Sequence, residues 1–238
     1  FLDFPITLDI ERAISGGPAV DFEPQHGSRI GVMPRYGNDA DVRWFDVETG
    51  VVIHTANAWD DGDEVVLQAS RSKTADIAGA GTSEGNNLQE NQGRLYEWRI
   101  DLKTGAVAER TLSEIPCDFT RVNDNFACYP TRYLYAGVFN TERPFTFDGI
   151  MKYDNDTGVT TEFQYGVNRH GGEAVFAPRT GTGSEDDGYL VCFIHDEAKK
   201  QSECLIIDAQ NLSAGPVATV IMPFRVPYGF HAGWVSGE

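Results

Sequence analysis

Four segments of this chain repeat one pattern at nearly equal spacing, and that periodicity restricts the fold more than any other feature. They are Trp44-Phe45-Asp46-Val47-Glu48-Thr49-Gly50, Trp98-Arg99-Ile100-Asp101-Leu102-Lys103-Thr104-Gly105, Lys152-Tyr153-Asp154-Asn155-Asp156-Thr157-Gly158, and Ile206-Ile207-Asp208 followed by a longer polar turn to Gly215. Each has an apolar or aromatic lead, an aspartate, a polar turn and a glycine. The aspartates are 55, 53 and 54 residues apart. Asp-x-x-Thr-Gly reads as a hairpin turn, with glycine at the position that needs a positive φ. One copy would mean little, because such hairpins are common. Four copies at a period near 54 residues point to a propeller blade of four strands plus loops. The 238 residues then hold a little over four blades, enough for a four-bladed closure or for part of a larger ring.

The intervening sequence predicts an all-β chain. Apolar or alternating runs mark strands at Arg29–Met33, Val65–Ala69, Tyr133–Phe139, Gly149–Tyr153, Val159–Phe163, Ala174–Ala177, Tyr189–Ile194, Leu205–Ile207 and Val217–Met222. Helical periodicity is confined to Leu8–Ile14. The Gly-, Ser-, Asn- and Glu-rich stretch Ser72–Gly93 has little to bury and reads as a long mobile loop between blades. The opening Phe1-Leu2-Asp3-Phe4-Pro5-Ile6 reads as the inside of a strand, so further sequence is expected upstream.

Charge excludes several partners. With 36 acidic and 19 basic residues the net charge is −17, which argues against nucleic-acid binding and against adhesion to anionic lipid. Solubility accounts for the sign. The four cysteines, at 117, 128, 192 and 204, have no zinc-like spacing and read as reduced, mostly buried thiols, which favours the cytoplasm. No run approaches the roughly 20 apolar residues of a membrane span.

Two of the five histidines stand out. His54 closes the apolar run Val51-Val52-Ile53 and is followed by Asn57-Ala58-Trp59, which reads as a turn-like exit from the strand. A strand end held by packing is a rigid place for a ligand. His231 lies in Arg225-Val226-Pro227-Tyr228-Gly229-Phe230-His231-Ala232-Gly233-Trp234, where small neighbours would let backbone approach a crowded centre. The other three are read as ordinary: His26 and His170 in polar loops, His195 at the end of an apolar strand.

The segments around His54 and His231 resemble two of the four iron-ligand stations of the carotenoid cleavage oxygenase family, which includes lignostilbene dioxygenases. Further resemblances lie in Ser28–Arg35, Tyr133–Gly137 and Phe147–Tyr153, so the similarity runs through essentially all of residues 1–238. The family implies a seven-bladed β-propeller with Fe(II) on its axis, bound by four histidines. This chain would supply about four blades, as the C-terminal part of one such domain. The two remaining histidines would lie upstream or, if the N-terminal half is a separate chain, in that partner.

The resemblance also implies the groups that orient the ligands. Gly172-Glu173-Ala174-Val175-Phe176-Ala177-Pro178 matches a family segment whose glutamate would orient His231. Cys117-Asp118-Phe119-Thr120-Arg121 matches a segment that usually reads Glu-Phe-Pro-Arg, so Asp118 would orient His54 with a side chain one methylene shorter. By implication the enzyme cleaves a conjugated C=C bond with O₂ into two carbonyl products. The substrate would be a carotenoid or apocarotenoid, or a lignostilbene-type phenolic, and the acidic composition tilts toward the phenolic. No residue reads as a nucleophile or general base. Two alternatives remain at this level: a non-catalytic propeller used for binding, and an isomerase of the same family. With two of four ligands, the 238-residue chain alone is expected to be inactive and metal-poor.

Overall fold

The computed structural model describes residues 1–74, 91–143, 146–181 and 183–237. Most of the expected loop Ser72–Gly93 lies outside the described residues. In chain order the elements are β1 (Leu2–Asp3), β2 (Ile6–Leu8), α1 (Ile10–Ile14), β3 (Val20–Phe22), β4 (Ser28–Val32), β5 (Arg43–Val47), β6 (Val51–Asp61), β7 (Glu64–Ser72), β8 (Arg94–Asp101), β9 (Val107–Arg121), β10 (Tyr133–Phe139), β11 (Phe147–Asp154), β12 (Thr160–Gln164), β13 (Arg169–Gly171), β14 (Val175–Pro178), β15 (Gly188–Asp196), β16 (Gln201–Asp208) and β17 (Pro216–Ile221). The fold is all-β, and the first turn of the short helix α1 is capped by the Asp9 side chain.

Antiparallel meanders follow one another along the chain. Strands β6–β9 form one and β9–β12 the next, and β13 and β14 together begin a third that continues through β15, β16 and β17. β9 belongs to two of them. Its first part pairs β8 as far as Pro116, and its last residues, Cys117, Asp118 and Arg121, pair β10. β1, β4 and β5 form a separate three-stranded sheet.

The sequence repeat marks the same place in each later meander, the turn from its third strand to its fourth. Asp101, Asp154 and Asp208 end β8, β11 and β16. The Asp101 carboxylate accepts the N–H groups of Lys103 and Thr104, and those of Asp154 and Asp208 accept from Asp156 and Gln210. The glycines closing these turns, Gly105, Gly158 and Gly215, have φ of 80°, 71° and 79°. Asp46 is different. β5 and β6 lie in separate sheets, so Asp46–Gly50 is a crossing between sheets, not a hairpin.

Alternating residues of the central strands enter different cores. On β8, Leu95 packs with Leu134, Val138, Met151 and Tyr153, whereas Trp98 and Ile100 pack with Ile30, Phe45 and Leu67. On β10 and β11, Tyr135 and Ile150 turn the other way, toward Leu190, Leu205 and Ile207. The first two meanders are therefore covered on both faces, which explains why β8, β10 and β11 are nearly continuous apolar runs, whereas the third packs one face inward and leaves β17 exposed. A fully buried Leu95 or Leu205 contributes about 1.5–3 kcal/mol through that burial. β6 and β9, the first strands of two successive meanders, lie side by side, and His54 and Asp118 of the candidate site lie on them.

Candidate metal centre

The strands that carry the site are irregular where the site residues lie. β6 does not exit at Asn57-Ala58-Trp59, as its sequence suggested, but continues to Asp61. Its pairing with β7 shifts register between Val52 and Thr55, the interval that contains His54, and again between Thr55 and Asn57. β9 shifts against β10 between the partners of Tyr135 and Gly137, at Phe119 and Thr120. Bulges of this kind bend a strand and re-aim its side chains. Phe119 itself has φ of 53°, an uncommon conformation for a buried aromatic residue.

The two bulged strands meet at His54. Its Nδ1 lies 3.1 Å from Asp118 Oδ1, and the same oxygen accepts the Phe119 N–H at 2.8 Å. The shorter carboxylate thus reaches the imidazole directly, fixed by its own backbone turn. The Thr120 hydroxyl donates to the His54 carbonyl at 3.4 Å, tying β9 to β6. The Asp118 hydrogen bond raises the His54 pKa above its ordinary 6.5, although burial pulls the other way. With Nδ1 facing Asp118, Nε2 is the nitrogen presented to a ligand site.

His231 arrives from the other side on a segment without strand or helix. Its ring centroid lies 4.9 Å from that of His54, with the planes at 70°. Phe119 packs against both rings, at 5.0 and 5.4 Å between centroids, and Phe147 stacks behind it at 4.8 Å. Glu173 is almost fully buried, not a carboxylate on a strand edge. Its Oε2 accepts the Ala232 N–H at 2.6 Å and lies 3.6 Å from His231 Nδ1. The second distance is too long for a hydrogen bond, so Glu173 holds the backbone beside His231 more tightly than the ring. Arg121 Nη1 lies 3.4 Å from Glu173 Oε1, so β9 contacts both carboxylates of the site.

The glycine that matters for this approach is Gly172. A Cβ there would run into the Gly229 carbonyl, whereas one at Gly229 or Gly233 would meet nothing within 4 Å. Sequence alone pointed to Gly229 and Gly233 instead. His26 lies exposed near Glu23, away from the pair. His170 is buried in β13, not in a loop, with Nδ1 2.5 Å from Asp148 Oδ1. His195 is buried in β15, opposite His170 in register. Phe119, Thr120, Arg121 and the Ala232 N–H had no assigned role in the sequence. Only the departure from Pro at position 120 hinted that something local had changed.

The donor chemistry fits a metal ion in part. His54 and His231 are adjacent imidazoles, each with a carboxylate on its Nδ1 side, the arrangement that sets the tautomer of metal-bound histidine. Among the described residues no group of three or more His, Cys, Asp or Glu side chains is placed to hold a metal ion. The pair therefore fits two positions of a larger ligand set.

The family profile described as retinal pigment epithelial membrane protein matches residues 1–236. The chain is 37% identical to a carotenoid 9,10(9',10')-cleavage dioxygenase of Crocus sativus, covering 100% of this chain and 46% of that protein. It is 32% identical to an isoeugenol monooxygenase of Pseudomonas putida, covering 98% and 51%. Its structure superposes on the crystal structure of a Pseudomonas brassicacearum lignostilbene dioxygenase with a TM-score of 0.91 at 27% identity, covering 100% of this chain and 52% of that one. The chain spans about half the length of the relatives it matches.

Proposed function

This chain belongs to the carotenoid cleavage oxygenase family, and from that premise we propose that it supplies half the ligand set of a non-haem Fe(II) oxygenase cleaving a conjugated C=C bond with O₂. The observation that carries the reading is the meeting of His54 and His231 at 4.9 Å, with Asp118 and Glu173 on their Nδ1 sides. Both histidines would bind the metal through Nε2. When bound, Fe(II) would supply the Lewis-acid and redox chemistry that O₂ requires.

The chain's own residues perform the supporting tasks. Asp118 accepts the His54 Nδ1 proton and so fixes the tautomer that leaves Nε2 free to ligate. Glu173 anchors Ala232 and thereby places His231. Phe119, backed by Phe147, puts apolar surface against both imidazoles and keeps water from that side. The meanders would form about four blades of a seven-bladed ring, with the other two histidines supplied by the remainder of the enzyme.

The named activities of the relatives span carotenoid, isoeugenol and lignostilbene chemistry. For this chain we take the substrate class to be a small conjugated olefin giving two carbonyl products. The net charge of −17 tilts that choice toward a phenolic, stilbene-type compound over a carotenoid. Four free cysteines fit a reducing compartment such as the cytoplasm, and no described helix is long and apolar enough to cross a membrane.

The test uses the full-length protein. It should contain iron, His54→Ala and His231→Ala should each lower that content, and ¹⁸O₂ should label carbonyl products from a stilbene or an apocarotenoid. A protein whose iron content is untouched by both substitutions would refute the assignment.

A further inference from the structure

We propose that Ser202 and the Tyr228–Glu197 pair are positioning residues for His231, forming a polar clasp, buried at Ser202 and solvent-exposed at Glu197, that holds the strand-free segment on which it sits. The proposal rests on the reading that His231 is a metal ligand. Among the described residues none after Ile221, the end of β17, lies in a strand or helix, so no ladder of backbone hydrogen bonds fixes that segment. Most of residues 221–237 are exposed. Met222, Val226, Tyr228 and Ala232 are half-buried; the first two bond Ser202 on β16, Tyr228 bonds Glu197 in the turn between β15 and β16, and Ala232 bonds Glu173 between β13 and β14.

Ser202 on β16 makes two of these attachments. Its carbonyl accepts the Met222 N–H at 2.9 Å, and its hydroxyl accepts the Val226 N–H at 2.8 Å. The hydroxyl also lies 3.3 Å from the Val226 carbonyl and 2.9 Å from His195 Nδ1. A hydroxyl has one donor and two acceptor sites. Donation to Val226 O, with acceptance from Val226 N–H and His195 Nδ1–H, uses all three. Ser202 is 1% exposed and His195 3%, so water cannot replace a lost partner without reorganisation.

Tyr228 makes the next attachment, three residues before His231. Its hydroxyl donates to Glu197 Oε1. Its ring stands edge-on to His170 and His195, at 6.3 Å from each and at 76° and 81°. The two buried histidines that take no part in the metal centre thus form the floor on which the His231 segment rests. Glu173 completes the series at Ala232. Outer partners that orient a metal ligand typically matter by 10–100-fold in metal affinity, and this clasp acts on the backbone carrying the ligand.

The experiment uses the full-length protein with Ser202→Ala, Tyr228→Phe, Glu197→Ala and Glu197→Gln. Three quantities are followed: amide exchange across residues 222–232 in the metal-free protein, the rate of Fe(II) loss to a chelator, and the absorption spectrum of the Co(II)-substituted protein. Ser202→Ala, Tyr228→Phe and Glu197→Ala should speed exchange in the segment, speed iron loss by about 10-fold or more, and alter the Co(II) spectrum. Glu197→Gln should restore near wild-type behaviour, because its amide oxygen still accepts the phenol proton. Tyr165→Phe, which removes a buried hydroxyl resting against Cys192, should change none of these. Tyr228→Phe keeps the ring and carries the test if Ser202→Ala does not fold. A wild type that binds no iron overturns the metal reading and this proposal with it. A wild type that retains iron, with variants that retain it equally and exchange equally, overturns the clasp alone.

Discussion

The substitution Gly172→Ala puts a methyl carbon against the backbone of Gly229, two residues before His231. The new carbon would lie 3.1 Å from the Gly229 carbonyl carbon and nearer still to its oxygen. Carbon atoms sit best at about 3.5–4.0 Å, so the two backbones must part by roughly 0.5–1 Å. Neither is a side chain that can swing aside, and Gly172 is bonded directly to Glu173, which holds Ala232 at 2.6 Å. Gly172 does not have a positive φ, so the expected damage comes from the contact and not from backbone strain. Overpacking of this kind costs about 1–3 kcal/mol. A ligand moved by about 1 Å can lose up to roughly 100-fold in activity. The assay is iron content, turnover and thermal midpoint of the full-length enzyme, measured beside Gly229→Ala. That control has open space around its Cβ and should be neutral or stabilising by up to about 1 kcal/mol. Equal losses from both substitutions, or a silent Gly172→Ala beside a damaging Gly229→Ala, would refute the argument.

Asp118→Ala should weaken iron retention about 10–100-fold, while Asp118→Glu should be tolerated because it keeps a carboxylate within reach of His54; iron content and turnover of both variants decide this. In the metal-free protein, Asp118 raises the His54 pKa, so the stabilisation from this pair is fully present below about pH 6.5 and fades as pH rises through the raised value. NMR titration should show the His54 imidazole moving down in pKa in Asp118→Asn. Burial pushes the Cys117 and Cys192 thiols up to about 12, so iodoacetamide should label exposed Cys128 first and reach those two only on unfolding, as peptide mass mapping would show. Trp98→Ala, at a fully buried ring whose Nε1 donates to Glu109, should cost about 3–5 kcal/mol in denaturant unfolding.

The repeat was legible because its cause is local. An aspartate that caps its own turn, followed by a glycine at positive φ, needs no distant partner to form, and three of the four copies are such hairpins. The fourth, at Asp46, has the same residues, but the strand after it joins another sheet. Gly50 lacks the positive φ of the other three glycines, because the pairing of the strand after it is decided elsewhere. His54 and His231 stood out weakly by an apolar run and by small neighbours, but their role as ligands, and the two carboxylates altogether, came only through resemblance, since neither histidine has a spacing that marks it.

What the sequence hid depends on register and on contact between remote segments. The shifts around His54 and at Phe119 exist only relative to β7 and β10, and no residue in β6 or β9 announces an extra position. His170 looked like a loop residue because Gly171 and Gly172 follow it. Gly171 is a strand residue with Ile194 and Tyr165 against it, and Gly172 is where the His231 segment crosses. The same reasoning explains why Gly229 misled. A small residue gives room only where another backbone arrives, and two glycines that meet look equally permissive in a sequence. In the fold they are not equivalent. Gly172 presents its missing Cβ to Gly229, while Gly229 presents its own to open space, so only one of the pair is constrained by the contact they share.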